Sequence, residues 1–371
     1  MSAFMNWWRT IGVLVGLELR QRTRATRWRV LLGVFFLAVS AVVFASRWFS
    51  SAGNHGTPGD EWGTNLYFFV LGFVGFLGLV ISPTMTATSI NGDRKDATLA
   101  VVQATPASGL QLAVGKLLGA WLASCALLVV STPYLVWAVI EAPYPVTRSI
   151  LGIAVVALLF LAYCGIGVGF SALFSRPIGS AAITQLTMLF LLIGLPTVAA
   201  VLVPTTSERV TTVSTDWDYD RDTGRVTCRE YPYTREVANT NRIWWIIAPN
   251  PLVVFADSSS ASDPGRSDSW RYTYGTSDGP ALPRETALGA VADTMAVFRA
   301  GERLTPDRRC ATDTPDGSRG YSGYYDDLSS VGSTWYWGLL ANLALGGIGL
   351  AFAARRLRVP AGDLPRGVRI A

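Results

Sequence analysis

The sequence predicts an all-α polytopic membrane protein: about six transmembrane helices, both termini cytoplasmic, and a mixed α/β extracellular domain between the fifth and sixth helices. Three observations carry this. Half of the 371 residues are hydrophobic and only 15% are charged, with a mean hydropathy of +0.33, more apolar than a soluble domain of this size usually is. Apolar runs recur at lengths that can cross a hydrocarbon core of about 30 Å. Arginine and lysine collect at alternate ends of those runs, as the positive-inside rule requires.

In chain order, residues 1–29 read as a cytoplasmic interfacial helix. In it Phe4, Trp8, Ile11, Val15 and Leu19 recur at helical spacing, with Arg9 and Arg20 off that stripe. Arginines interrupt the first twenty positions and no small-residue cleavage site follows, so this is not a cleavable signal peptide. The helix serves either as an anchor on anionic lipid or as a docking element for a partner. Residues 30–203 hold transmembrane helices 1–5, with apolar runs near 30–45, 66–90, 113–140, 150–174 and 181–203. The sixth helix spans 335–354 and a cytoplasmic tail covers 355–371.

Orientation follows from the basic residues. The N-terminal segment carries Arg9, Arg20, Arg22, Arg24, Arg27 and Arg29, and the tail carries Arg355, Arg356, Arg358, Arg366 and Arg369. The inner loops add Arg94, Lys95 and Arg176, whereas the outer loops hold Arg47 and Arg148. Residues 204–334 then fall outside. They contain 14 arginines and 19 acidic residues, a negative balance that leaves the rest of the chain strongly basic. The pI of about 9.1 therefore reports topology and gives no reason to expect a nucleic-acid partner.

Within 204–334, the stretch after Asp222-Thr223-Gly224 alternates as a strand, and 285–304 places Leu288, Val291, Ala292, Met295 and Phe298 on one helical face. The segment 243–256, IWWIIAPNPLVVFA, is too short to span and unusually apolar for a solvated loop. Trp244, Trp245, Pro249, Asn250 and Pro251 mark it as a re-entrant or interfacial helix pair, the alternative being a buried core segment of the domain. Cys228 and Cys310 lie in the same region, where thiols oxidise. A disulfide between them would close a loop of roughly 80 residues and contribute about 4 kcal/mol in the chain-entropy model.

Absent chemistry narrows the function. The single histidine, His55, sits in a Gly-rich outer loop, and there is no CxxC or Cys/His cluster, so neither a metal centre nor a His-based triad is expected. The helix centres lack the buried charges of ion-coupled transporters, Lys116 and Glu141 being placed near span ends where snorkelling suffices. Residues 109–117, GLQLAVGKL, only approximate a phosphate-binding loop. One residue too many separates the glycines, and Leu117 replaces the hydroxyl that would hold magnesium. The chain is therefore read as no enzyme, with no cofactor of its own. Glycines 72, 75, 78, 165 and 169 suit close helix approach, chiefly inside the bundle.

Residues 91–112 form the most distinctive stretch. Asp93, Arg94, Lys95 and Asp96 cannot lie in hydrocarbon, so both flanking spans end here. Asp93-Arg94, Ala97-Thr98-Leu99, Thr105-Pro106-Ala107-Ser108 and Gly115-Lys116 follow one another. In that order they resemble the first cytoplasmic loop of ABC-2 type transporter permeases, as do the LELRQRTR segment, the six spans and the outer pair around Asn250-Pro251. Two departures stand out: Ala97 occupies the position of the family's usual glycine, and the outer segment is longer than the family's.

The resemblance implies a permease subunit of an ATP-driven exporter in the plasma membrane. A separate ABC ATPase subunit would bind ATP and magnesium, and a second copy or a related permease would complete the pair. It implies further that 91–112 is the coupling loop, with Asp93, Arg94, Thr98, Leu99 and Pro106 meeting the ATPase. The lack of buried charge points to an apolar or amphipathic cargo, such as a lipid, a drug-like compound or a hydrophobic peptide. A different class also fits the sequence: a membrane-anchored receptor or assembly module whose outer domain binds a partner without transport.

Overall fold

The computed structural model describes residues 2–53, 61–95, 107–142, 145–219, 226–260, 287–301 and 332–357. They divide into two compact units, residues 1–192 with 337–371 and residues 193–336. Six stretches are long and apolar enough to cross a membrane: Thr26–Phe49, Asn65–Lys95, Gly109–Val130, Val146–Leu173, Pro177–Thr206 and Trp335–Arg356. The six expected spans are all present.

In the first unit, α1 (Ser2–Arg24) stops at Ala25 and α2 (Thr26–Gly53) begins the first span. Phe35, Val39 and Val43, one turn apart, are the buried ridge of α2, while Val30, Val34, Leu37 and Phe44 stay exposed. A helix with one covered ridge and an apolar remainder is what a lipid-facing span requires. Next comes α3 (Glu61–Ala87), with Leu66, Tyr67, Val70, Leu71 and Val74 fully buried. Its partner is the long α7 (Val146–Leu173), and Tyr67 donates its hydroxyl hydrogen to the Ser149 carbonyl at 2.7 Å.

Glycine sets the spacing of this bundle. A Cβ at Gly78 would lie inside the Phe160 ring, and one at Gly75 would touch Val156. Between α7 and α13 (Trp335–Arg356) the backbones meet directly: a Cβ on Gly165 would come 2.6 Å from the Gly346 carbonyl oxygen, and one on Gly169 would come 2.5 Å from the Gly349 Cα. Such approach trades side-chain volume for van der Waals contact, the main attraction available between helices in lipid. Beside it, the Tyr163 hydroxyl donates to Asn342 Oδ1 at 2.9 Å. Gly165 and Gly169 thus serve internal packing, whereas Gly72 meets only Phe68 of its own helix.

The expected third span, 113–140, is not one helix. It divides into α5 (Gly109–Val130) and α6 (Thr132–Glu141) at Ser131, because Pro133 lacks the N–H that would continue the ladder. The Ser131 hydroxyl bonds the Leu127 carbonyl at 2.9 Å. The fifth span is similarly interrupted. Following α8 (Pro177–Leu189), a π-turn over Phe190–Gly194 precedes α9 (Leu195–Leu202), and Pro196 supplies the missing donor that such turns accommodate.

The second unit is mixed. Strands β1 (Ser207–Tyr219) and β2 (Val226–Ala238) pair antiparallel without a bulge, from Ser207 opposite Ala238 to Tyr219 opposite Val226. The alternating stretch ending at Val237 is therefore a strand as its pattern predicts, while the Asp222-Thr223-Gly224 turn lies outside the described residues. Two short helices follow, α10 (Trp244–Ile247) and α11 (Pro251–Ser260), packed with α12 (Ala287–Ala300). The chain leaves α12 through Gly301 at φ +62°, a left-handed position that glycine fills without steric cost.

Candidate functional site

The charged segment is rooted by two helix ends. At its start α3 breaks at Thr88 and α4 (Ser89–Lys95) begins, which leaves new N–H groups in a buried place. The Ser171 hydroxyl on α7 accepts from two of them, Ile90 N at 2.9 Å and Asn91 N at 3.2 Å. The Ala87 carbonyl accepts from the Ser180 hydroxyl at 2.6 Å. At the far end, Ser108 and Gln111 form a reciprocal capping box at the start of α5. The sequence pattern that ends in Pro106-Ala107-Ser108 thus closes on a helix N-terminus.

Between these ends runs an ionic chain. Lys116 Nζ lies 2.5 Å from Asp93 Oδ2 and 3.9 Å from Glu18 Oε2, and Glu18 also accepts from Arg22 at 2.9 Å. Lys116 therefore does more than snorkel: it ties the end of the second span to α1. It is 14% exposed, which keeps the pairs partly shielded from screening. Two glycines bring α1 close enough. A Cβ at Gly115 would come 2.8 Å from Leu14 Cβ, and one at Gly119 would come 2.7 Å from Glu18 Cγ. The Gln111 amide also reaches the Trp7 carbonyl at 3.4 Å. Beneath the charges, Ile90, Leu112, Leu117, Ala120, Val168 and Leu357 pack into one apolar cluster that joins α4, α5, α7 and the end of α13.

The expected apolar stripe of α1 is accordingly divided. Ile11 is buried and Val15 and Leu19 are half-covered, whereas Phe4 and Trp8 remain exposed. Of the five residues assigned to ATPase contact, Asp93 joins the ionic chain and Arg94 is exposed. Thr98, Leu99 and Pro106 lie outside the described residues. The sequence reading missed Glu18 as a partner, although it is the single acid in a helix that carries four arginines.

In the second unit, the 243–256 segment is occupied by two short helices, α10 and the first part of α11. Trp245 is 63% exposed, Trp244 and Pro249 are half-buried, and Asn250 and Pro251 are buried. Asn250 Oδ1 accepts from Leu252 N at 2.9 Å and Val253 N at 3.3 Å, capping the second helix. The segment also supplies core, since Ile247, Val254, Phe255 and Ala256 are buried. Behind it lies an ion pair that the sequence reading did not anticipate: Arg299 reaches Asp257 at 3.4 Å and Thr334 Oγ1 at 2.9 Å, and Thr334 N donates to Asp257 at 2.7 Å. Cys228 lies on β2 opposite Trp217; Cys310, its expected disulfide partner, is outside the described residues. Among the described residues no group of three or more His, Cys, Asp or Glu is arranged to hold a metal.

Residues 55–215 match the model of a family described as ABC-2 family transporter protein. No curated protein matches the chain. Members of that family are membrane components without an ATPase site of their own. The matched stretch runs from before α3 into β1 and includes Asp93, the whole charged segment and Lys116. Residues 55–215 are thus similar to ABC-2 type transporter permeases, and the six apolar spans agree with a multi-pass membrane protein.

Proposed function

We propose that this chain is the transmembrane subunit of an exporter that moves an apolar or amphipathic cargo outward, driven by a separate ATPase subunit that docks on residues 91–112. The observation that carries this reading is the Lys116 bridge to Asp93 and Glu18. A plain connection needs no ionic tie to a neighbouring helix. A segment that receives force does, because displacement of Asp93 then moves α5 and α1 together. The arrangement of basic residues puts both termini and 91–112 in the cytoplasm, with 204–334 outside. Asp93 and Arg94 set register on the ATPase, and Thr98, Leu99 and Pro106 extend the contact. A second copy or a related permease completes the pair, with ATP and magnesium held by the ATPase.

Copurification from the native membrane tests this. A stoichiometric ATPase is expected with the wild-type chain and lost with Asp93→Ala combined with Arg94→Ala. Cargo-stimulated, vanadate-sensitive ATP hydrolysis by the reconstituted complex is the second expected result. Recovery of the folded chain with no ATPase would overturn the exporter reading in favour of a receptor built on residues 193–336, which form a compact unit of their own.

A further inference from the structure

The two halves of the second span are held by different means. Higher up, α3 is fixed by the burial of Leu66, Tyr67, Val70, Leu71 and Val74 and by the Tyr67 hydroxyl on α7. Over residues 80–91 the backbone is also gripped by polar side chains of two other helices. Gln185 of α8 donates to the Val80 carbonyl at 3.1 Å, Cys164 of α7 to the Ser82 carbonyl at 3.6 Å, and Ser180 of α8 to the Ala87 carbonyl at 2.6 Å. Ser171 of α7 accepts from Ile90 N and Asn91 N. Pro83 lies inside this stretch and brings no N–H, and within a membrane neighbouring side chains are what satisfy backbone groups that a proline frees.

In an unbroken helix Asn91 N would meet the Ala87 carbonyl four residues back. Here each is given to a serine of a different helix. Either hydroxyl can return to a carbonyl of its own helix, as Thr184 does to Ser180 at 2.7 Å and Ser124 to Ala120 at 3.0 Å. The stretch therefore has a second, continuous arrangement in which the same groups remain hydrogen-bonded. The observed one leaves capacity unused, since Ser82 Oγ and Asn91 Oδ1 are buried without a hydrogen-bond partner. Gly167 of α7 supplies the fulcrum: a Cβ there would collide with the Thr86 hydroxyl and come 2.7 Å from the Pro83 carbonyl oxygen, so nothing projects between the two backbones at this level.

We propose that residues 83–91 are a pivot in the second span, about which residues 89–95 swing as a lever while the upper part of α3 stays fixed on α7. This rests on the reading of 91–112 as the segment that receives force, and it says what becomes of that force: a push at Asp93 exchanges the Ser171 and Ser180 bonds for the helical one instead of sliding the whole span. The Lys116 tie to Asp93 then carries the swing to α5.

The pivot is measured in the purified full chain in detergent with no ATPase present. Nitroxides coupled to p-acetylphenylalanine in place of Phe76 and Lys95, both exposed, bracket the joint and would lie about 28 Å apart on a straight helix. A pair at Ile150 and Leu173, exposed on α7, is the rigid control. Double electron-electron resonance should give a distribution about twice as broad for the joint pair as for the control. Ser180→Ala, which frees the Ala87 carbonyl for Asn91 N, should shift it toward the straight-helix distance, and Pro83→Ala, which restores an N–H, should narrow it to the control's width. In the assembled complex, Pro83→Ala should keep the ATPase and the wild-type melting temperature yet lose most of its cargo stimulation. A joint pair as narrow as the control, a distribution that neither variant moves, or full cargo stimulation in Pro83→Ala would overturn the pivot. If the wild-type chain retains no ATPase, the exporter reading fails by itself and the distance distributions still decide the pivot.

Discussion

Replacing Lys116 with methionine keeps the length and apolar stem of the side chain and removes its charge. At an effective dielectric near 20, two unit charges 4 Å apart attract by about 4 kcal/mol before desolvation is counted. Exposed pairs retain less than about 1 kcal/mol of that, while removing one partner of a buried pair costs about 3–5 kcal/mol. Lys116 and Glu18 are 14% and 15% exposed and Asp93 is 33% exposed, so the site lies between these limits. Glu18 keeps Arg22, which softens the loss. Lys116→Met is therefore expected to destabilise the first unit by about 2 kcal/mol.

The decisive measurement is a double-mutant cycle of Lys116→Met with Asp93→Asn, followed by thermal melting in detergent. An interaction of about 1 kcal/mol or more is expected, because the two residues are in contact. Lys116→Arg should restore part of the stability. In the assembled complex, Lys116→Met should still recover the ATPase but show weaker cargo stimulation, since it alters the root of the segment and not its exposed surface. Additive single effects in the melting cycle, with unchanged cargo stimulation, would refute the view that this bridge transmits movement.

Other positions give independent checks. Gly165→Leu would drive a side chain into the Gly346 backbone, where nothing flexible can give way, so the chain should fail to purify as a folded species, while Gly179→Ala, in open space, should be neutral. Ser171→Ala removes the acceptor for two buried N–H groups; a loss of about 1–3 kcal/mol and faster hydrogen exchange at Ile90 and Asn91 are expected. Arg299→Met leaves Asp257 buried without its guanidinium partner and should cost about 3–5 kcal/mol, read as lowered resistance of residues 193–336 to proteolysis. Non-reducing peptide mapping should find Cys228 joined to Cys310, and unmodified thiols at both would refute that bond.

The number and order of the spans were legible because a hydrocarbon core imposes a length and a composition that apolar runs reveal directly. Breaks inside a run were not. Hydropathy counts Ser131, Thr132 and Pro133 as a small dip in 113–140, although Pro133 alone suffices to end one helix and start another. The charged segment was legible from Asp93 and Arg94, which cannot enter lipid. What they bond to was not, because Lys116 and Glu18 are 98 residues apart in sequence and each has an adequate local explanation. For the same reason Asp257 and Arg299 read as ordinary solvated charges until α11 and α12 are packed together. Gly115 and Gly119 carried the missing signal: two small residues one turn apart beside a lysine mark a helix approached closely at its charged end.

The location of the ionic chain follows from the solvent on either side of it. Mid-bundle, lipid competes poorly for nothing but van der Waals contact, so α7 and α13 are held by glycine backbones and by one Tyr163–Asn342 hydrogen bond. A lysine and two acids placed there would face the full cost of leaving water. At the end of the spans that cost drops, and charges can fix register while Ile90, Leu112 and Leu117 supply stiffness beneath them. Ion pairs alone at such a boundary are too weak and too easily screened to carry force. The apolar cluster alone would resist displacement without specifying direction. Their coincidence under Asp93 supports the proposed receipt of movement from a soluble partner at this end of the bundle, with Asp93 as the residue through which a push on 91–112 would enter α5 and α1.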